Sequence, residues 1–292
     1  MRELTFVVPP QFEGAKLKTF LRSSCKVSAG MLTRLKWVYN GITVNGVHAH
    51  VIRILHSGDT VVLKLPDQET SVIPEPIPLS VLYEDADVLV VNKPWGMAMY
   101  PTPGNDSGSL ANAAAYHAKQ RGELFSLHPV YRLDKNTSGI VVLAKHGYAA
   151  SALAFGIIKT YFAICEGMLQ GSGKIDQPIR LMKGHGIQRE VGDGPGSQRA
   201  VTHWTVEKQG INDHTLLRIQ LETGRTHQIR VHLSSICHPL AGDDMYGGGQ
   251  TWIKRQALHC GEVSFIHPVT EKELHFSQPL PDDMRQLLKE EE

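Results

Sequence analysis

The clearest place for chemistry in this sequence is an arginine and an aspartate two residues apart, Arg132 and Asp134, in HPVYRLDKNTSGIVVLAKH. The aspartate is followed by Asn, Thr, Ser and Gly, which favour a turn through hydrogen bonds to backbone amides, and then by the apolar residues 140–143. This order predicts a buried strand with a carboxylate fixed at its mouth. Such a carboxylate could act as a nucleophile or a base; the alternative is an aspartate that only caps its own turn.

A second group of charged side chains lies at the predicted start of a helix, in LETGRTHQIRVHLSSICHP. Thr226 could cap this helix, and Arg225 and Arg230 flank its start. Arginines gain nothing from the positive end of a helix dipole, so a negative partner is expected. A buried Asp134 would meet this need, because a guanidinium holds a carboxylate ionised and fixed in direction. The alternative is a surface arginine paired with Glu222 or with solvent.

Metal-dependent chemistry is a competing interpretation that the sequence disfavours. Acidic residues cluster in two places where solvated turns are expected, at Glu84, Asp85 and Asp87 and at Asp243 and Asp244. His227 and His232 are five residues apart, so they do not share a helical face as the paired histidines of zinc enzymes do. The sequence also has no glycine-rich phosphate-binding motif after a strand, which disfavours a nucleotide cofactor.

Composition and charge predict how the chain is divided. Its 292 residues, 41% hydrophobic and 20% charged, are typical of a globular protein with one large domain and one small one. The net charge of +1 hides an asymmetry, because residues 1–66 hold nine Lys or Arg against three acids. A proline-rich stretch follows. We therefore predict a basic module at 1–66 that grips a polyanion, a linker at 67–80 and a larger domain at 81–292.

The basic module has recognisable local patterns. Apolar spacing predicts two short helices, the second capped by Ser28, and an Asn-Gly turn in ITVNGVHAH predicts a hairpin that is followed by a strand in GDTVVLKL. This order resembles the small RNA-binding domain first described in ribosomal protein S-four. Lys26, Arg34 and Lys36 fall on or beside the second helix, where they could bind RNA phosphates.

The larger domain is predicted to be α+β. Alternation of apolar and polar residues, as in VTHWTVEK and TLLRIQLE, predicts a mixed, mainly antiparallel sheet. Helical patterns at SLANAAAYHAKQ and YAASALAFGI predict flanking helices. The glycine-rich stretch 183–199 shows no periodicity and is predicted to be a loop.

Several features indicate a cytoplasmic protein. The longest apolar runs are far shorter than the ~20 residues of a membrane-spanning helix. The first residues lack the continuous apolar segment of a secretion signal. The four cysteines are far apart and suggest neither a disulfide framework nor a zinc site, so we expect reduced and mostly buried thiols.

Five ordered motifs resemble those of the RluA-type pseudouridine synthases and cover nearly all of residues 80–285. In chain order they are VNKPWGMAMYPTPG, RLDKNTSGIVVLAKH, KTYFAICEG, GRTHQIRVHLSSICHPLAGDDMYG and QALHCGEVSFIHPVTEKELHFSQPLPDDM. Many members of that family also carry a small N-terminal RNA-binding domain. The order and spacing of five motifs are hard to obtain by chance.

The resemblance implies a role for five residues. Asp134 matches the catalytic aspartate, and Arg132 matches the arginine that fills the space left by the flipped base. Tyr161 matches the tyrosine that stacks on the uracil, and Arg230 matches the arginine that pairs with the catalytic carboxylate. Leu258 matches, more weakly, an apolar residue on the other side of the base.

The resemblance further implies an isomerase that converts uridine to pseudouridine in RNA, most of all in large-subunit ribosomal RNA. Neither a cofactor nor a metal is expected, and the protein is expected to act as a monomer. Two positions depart from the family pattern, since Tyr131 and Tyr100 stand where the family usually has His. They put the subgroup and the RNA target in question. The alternative is a non-catalytic RNA-binding or ribosome-assembly protein that retains the synthase fold.

Overall fold

A computed structural model describes residues 2–66, 70–102, 104, 106–123, 127–154, 156–210 and 212–288. Residues 67–69 of the predicted linker lie outside the described residues. The rest of that linker, from residue 70 to 80, forms neither helix nor strand. In the described ranges no helix has both the length and the apolar character needed to cross a membrane.

Residues 2–66 form a four-stranded antiparallel sheet and two helices around a core of their own. The elements are β1 Arg2–Val7, α1 Leu17–Ser23, α2 Ala29–Leu35, β2 Ile42–Val44, β3 Val47–His48 and β4 Thr60–Leu65, and the strand order is β1-β4-β2-β3. The two helices, the Ser28 cap and the hairpin are confirmed, and Asn45 and Gly46 take the positive φ angles of the hairpin turn. Strand β1 left no recognisable pattern in the sequence, because two prolines end it after one short apolar run.

The remaining chain is built on one ten-stranded sheet. The chain order is β5 Val81–Glu84, β6 Val88–Lys93, α3 Leu110–Gln120, β7 His128–Pro129, β8 Ser138–Ala144, α4 Gly147–Leu153, β9 Ile158–Glu166, β10 Ser172–Asp176, β11 Ile179–Leu181, β12 Arg189–Val191, β13 Val201–Gln209, β14 His214–Leu221, α5 Gln228–Ser235, β15 Leu258–Ile266, β16 Glu273–Ser277 and α6 Asp282–Gln286. The strand order is β10-β13-β14-β9-β15-β8-β6-β5, with β16 beside β15 and β7 beside β8. The predicted α+β fold with a mixed, mainly antiparallel sheet is confirmed; the division into domains stays a prediction.

The pair β8–β15 is parallel and lies at the centre of the sheet. Gly139 in β8 has a φ of +122°, and a Cβ there would collide with the backbone of Cys260 in β15. Glycine is therefore required at this position, where the strand that follows Asp134 pairs closely with β15.

The prediction of a loop over 183–199 is wrong in part. Residues Arg189–Val191 form β12, which pairs with β11 in a separate two-stranded ribbon. The ribbon depends on contacts from distant parts of the chain, such as the hydrogen bond from the Arg189 amide to the Tyr246 hydroxyl at 2.9 Å. A three-residue strand of this kind leaves no periodic pattern in the sequence.

The expected solvated turn around Asp87 is also wrong. Asp87 is buried and accepts two hydrogen bonds of 2.9 Å from Arg2. His146 Nε2 also lies 2.9 Å from its carboxylate. Glu84 nearby binds Lys145. Because Arg2 belongs to the N-terminal sheet, Asp87 joins the two sheets, a role that its local sequence does not reveal.

Acid is expected to weaken this junction. Burial would raise the pKa of Asp87, but hydrogen bonds from His146 and Arg2 outweigh it and lower the pKa from 3.8 to about 2. The stabilisation is therefore complete above pH 3.8 and is lost as the pH falls towards 2. We expect a loss of about 2 kcal/mol in the free energy of unfolding over this window. Urea unfolding at several pH values measures it, and Asp87→Asn should remove this component; an identical acid response in the variant would contradict the assignment.

Candidate active site

Asp134 lies in a cleft of about 500 Å³ on one face of the central sheet. The walls are the turn before β8, the strands β9 and β15, and the loop that leads into α5. The cleft thus brings together five of the residues predicted from the sequence, which are Arg132, Asp134, Tyr161, Arg230 and Leu258.

The turn predicted after Asp134 is present. Thr137 donates its amide to the Asp134 carbonyl at 3.1 Å, and strand β8 then begins at Ser138. The Asp134 side chain retains 30% exposure and accepts a hydrogen bond from Arg230 Nη1 at 3.3 Å. The carboxylate therefore faces the cleft, and among the described residues its hydrogen-bond partner is Arg230 and not its own turn.

Arg230 has a second partner that the sequence analysis missed. Its Nε and Nη2 atoms donate to the two carboxylate oxygens of Asp243 at 2.7 and 2.8 Å, and both side chains are buried. The guanidinium also lies 5.0 Å from the ring centre of Tyr246. The expectation that Asp243 lies in a solvated turn is therefore wrong. Asp243 fixes the guanidinium in a forked ion pair and leaves one nitrogen for Asp134.

Glycines shape the turn that carries Asp243. Gly242 has a φ of +76°, and a Cβ at this position would collide with the Arg255 carbonyl. Gly248 donates its amide to the Asp243 carbonyl at 2.8 Å. The composition of such a turn is the same whether it is buried or exposed, which explains why AGDDMYGG indicated a solvated turn.

Two buried cations hold the turn that presents Asp134, and the sequence analysis assigned a role to neither. Lys93 donates to the carbonyls of Pro94, Met97 and Lys135 at 2.9, 2.8 and 3.1 Å. Burial lowers the pKa of Lys93 to about 7. The negative charge of Asp134 raises this pKa, but its effect is smaller than that of burial. Lys93 is the lysine of the VNKP motif, but the motif alone does not indicate which groups the side chain binds.

Arg255 is the second of these cations. It binds Asp283 at 2.7 and 2.9 Å and reaches the carbonyls of Asn136 and Leu258 at 3.4 and 3.3 Å. The side chain is 2% exposed. One guanidinium therefore connects the turn after Asp134, the start of β15 and the helix α6.

Tyr161 and Leu258 supply the apolar walls of the cleft. They lie on the adjacent strands β9 and β15 and are 6% and 4% exposed. Burial, with the charges of Cys260 and Asp134, raises the pKa of Tyr161 well above its usual value. The phenol is therefore neutral at physiological pH, and its ring offers a flat apolar surface next to the carboxylate.

His227, and not the predicted Thr226, occupies the N-cap position of α5, where its side chain makes no capping hydrogen bond and its φ of +58° is left-handed. Its Nδ1 lies 2.9 Å from the Tyr246 hydroxyl, which also accepts the Arg189 amide. Burial lowers the pKa of His227. A neutral ring that accepts the tyrosine proton at Nδ1 carries its own proton on Nε2, so His227 offers a donor at the cleft wall.

Of the two tyrosines at positions where the resemblance leads us to expect histidine, Tyr131 is partly buried and Tyr100 is 37% exposed. Tyr131 lines the cleft, donates its hydroxyl to the Ile140 carbonyl at 2.8 Å and has Lys159 Nζ 4.6 Å from its ring centre. Tyr100 donates to the Leu127 carbonyl at 3.2 Å. Tyr131 therefore contributes to the cleft wall, whereas Tyr100 is tied to the backbone.

The remaining predicted RNA contacts do not line the cleft. Lys26 lies between α1 and α2, Arg34 in the last turn of α2 and Lys36 at its end, and all three are exposed. None of them is among the described residues around Asp134. All three therefore belong to the helical part of the N-terminal segment.

The cluster of Asp85, Asp87 and His267 has the composition of a metal site. However, His267 Nδ1 accepts the amides of Val269 and Thr270 at 3.2 and 3.0 Å. The proton is then on Nε2, which lies 2.8 Å from Asp85. Asp87 is also bound by Arg2 and His146, so side chains of the protein already occupy this carboxylate, and His267 offers no lone pair to a cation.

Comparison with known proteins places this geometry in a family. The sequence model of the RNA pseudouridylate synthase family matches residues 87–235. The chain belongs to the RluA-type RNA pseudouridine synthases. The synthase is 42% identical over 273 residues to the uncharacterised RNA pseudouridine synthase YjbO of Bacillus subtilis strain 168, covering 91% of this chain and 95% of the relative. Family membership makes the protein an isomerase and disfavours the non-catalytic alternative.

Two further relatives agree with this assignment. Ribosomal large subunit pseudouridine synthase D of Vibrio vulnificus strain CMCP6 is 38% identical to the synthase over 279 residues, which are 87% of this chain and 85% of the relative. The solved structure of human RNA pseudouridylate synthase domain containing 1 aligns with a TM-score of 0.56 and 25% identity, over 69% of this chain and 83% of that chain.

Proposed function

We propose that the synthase converts uridine to pseudouridine in large-subunit ribosomal RNA, with Asp134 as the reacting carboxylate. The observation that carries the proposal is a partly exposed carboxylate in a cleft, held by an arginine that is itself fixed by the buried Asp243. A carboxylate that is ionised and fixed in direction is what each plausible route requires.

The reaction is an isomerisation within one nucleotide. The bond from ribose to uracil N1 breaks, the base turns, and a bond forms from ribose to C5. The hydrogen on C5 is released as a proton and N1 gains one, so atoms and electrons balance without a cofactor. Asp134 would attack the sugar, attack the ring or remove a sugar proton, and the hydrogen bond from Arg230 would hold its carboxylate in place in all three cases.

The cleft walls suit a flipped pyrimidine. A base inside a helix must be extruded at a cost of roughly a few kcal/mol. Stacking on Tyr161 and contact with Leu258 would offset this cost, and Arg132 at the exposed rim would fill the space left in the RNA. The His227 donor at the same wall matches the carbonyl oxygens of uracil.

Two observations support ribosomal RNA as the substrate. A relative that is 38% identical to the synthase over 279 residues is named for the large ribosomal subunit. The net charge of +6 on residues 1–66 suits a phosphate backbone, so we propose this segment as an RNA-binding domain that uses Lys26, Arg34 and Lys36. A cytoplasmic location and a monomeric state stay predictions from the sequence.

Neutralising these three cations is expected to weaken RNA binding through salt-dependent contacts. Changing Lys26, Arg34 and Lys36 together to Gln should lower the slope of log affinity against log salt by roughly two to three units. All three side chains are exposed, so the fold should be unaffected. Affinity for ribosomal RNA measured at several salt concentrations tests this expectation. An unchanged slope would reject the proposed surface.

The function is tested by mapping pseudouridine in ribosomal and transfer RNA from cells with and without the gene. We expect at least one large-subunit position to lose its pseudouridine and to regain it with the wild-type gene. Complete maps that are identical in both strains would contradict the proposal. A loss confined to transfer RNA would keep the reaction and overturn the substrate.

A further inference from the structure

The N-terminal module exposes large aromatic side chains beside a groove. Trp37 and Tyr39 follow α2 and are 88% and 90% exposed, and Ile52 across the groove is 71% exposed. The groove has a volume of about 540 Å³. It is lined by residues 33, 35–37, 42 and 48–52. These aromatics take no part in the core of the module, which α2 reaches through Met31, Leu32 and Leu35.

The position of Trp37 makes this exposure informative. An isolated exposed apolar side chain is ordinary, but Trp37 and the exposed Ile52 line the same groove and give it an apolar surface. Such surfaces on proteins commonly mark binding sites. What binds here is decided by the charges around the groove.

The charge there is basic. Lys36 lines the groove with Trp37 and the imidazoles of His48 and His50, and none of the described residues that line it is acidic. The whole segment 1–66 carries nine Lys or Arg against three acids. A surface that combines an exposed aromatic ring with cations suits single-stranded nucleic acid, because bases stack on the ring while phosphates meet the cations.

We propose that this groove binds an unpaired nucleotide of the RNA substrate, with its base stacked on Trp37 and its phosphate near Lys36. The inference rests on the proposed RNA function and adds a recognition site on a different surface from the Asp134 cleft. Lys36 is shared with the basic surface, whereas Trp37 distinguishes single strands from duplexes, whose bases are already stacked. The groove would therefore select a structural context around the target uridine.

The full-length protein with Trp37→Leu tests the proposal, with Trp37→Tyr as the matched control. Leucine keeps the apolar character but lacks a flat ring, whereas tyrosine keeps the ring. The probes are a single-stranded oligouridylate of about twelve nucleotides and an RNA duplex of the same length. We expect Trp37→Leu to raise the Kd for the single strand roughly tenfold and Trp37→Tyr to change it by less than about threefold.

The salt dependence adds a second readout. Stacking releases no counterions, so Trp37→Leu should leave the salt slope unchanged, whereas Lys36→Gln should lower it by about 0.7 for the single strand. Duplex affinity should not respond to Trp37→Leu. Wild-type affinity of Trp37→Leu for the single strand, or equal losses with leucine and tyrosine, would overturn the stacking site.

The outcomes separate this inference from the proposed function. If Trp37→Leu binds the single strand like the wild type, and both proteins form pseudouridine in ribosomal RNA, only the groove assignment fails; an apolar protein partner would then be the occupant to seek. If the wild type binds neither probe nor ribosomal RNA, both proposals fail.

Discussion

Replacing Asp134 with Asn is expected to lower pseudouridine formation by at least about a thousandfold and to change RNA affinity by less than about threefold. Asparagine keeps the size of the side chain and can still meet Arg230, but it cannot act as a nucleophile or a base. Because Asp134 is partly exposed and holds no part of its own turn through its side chain, the fold should survive the change.

Nucleoside analysis of digested RNA after incubation measures the product, and a filter-binding titration measures affinity. The matched control is Asp244→Asn, an exposed carboxylate in the same motif as Asp243, which should leave the rate near that of the wild type. Full activity of Asp134→Asn would show that the reacting carboxylate has been assigned to the wrong residue.

Removing the second partner of Arg230 is expected to have the largest effect on stability. Asp243→Ala leaves a buried guanidinium without its forked partner, and breaking a buried pair in this way typically costs about 3–5 kcal/mol. The guanidinium would also turn towards Asp134, so turnover should fall by at least about tenfold even in molecules that remain folded.

Urea unfolding of Asp243→Ala and the wild type measures the stability, and initial rates at a temperature where both are folded measure the turnover. Asp244→Ala serves again as the neighbouring control, because its side chain is exposed. Stability and turnover like those of the wild type in Asp243→Ala would contradict the role of this pair in fixing Arg230.

Much of the site could be predicted from local sequence. The turn after Asp134, the buried strand that follows it and the approach of Arg230 all leave patterns within a few residues of one another or in a recognisable motif. The fold class followed from alternating strand patterns and from helical patterns such as SLANAAAYHAKQ, because these patterns are local as well.

The supports of the site could not be predicted in this way. These supports are three buried ionisable residues, Lys93, Arg255 and Asp243. Lys93 binds a carbonyl 42 residues away along the chain, and Arg255 binds one 119 residues away. Their residue types are those of a solvated surface, and only the packing of the sheet removes them from water. The same reason explains Asp87, whose partner Arg2 lies 85 residues away in the sequence.

The isomerisation has a chemical signature that tests the central claim directly. Joining ribose to C5 of uracil releases the hydrogen carried by that carbon, so ribosomal RNA with tritium at uridine C5 should release tritium to water when the purified synthase is added. We expect release from unmodified large-subunit RNA by the wild type, and release at the background rate by Asp134→Asn. Background release by the folded, RNA-bound wild type, or equal release by both proteins, would contradict the proposal that Asp134 isomerises uridine in this RNA.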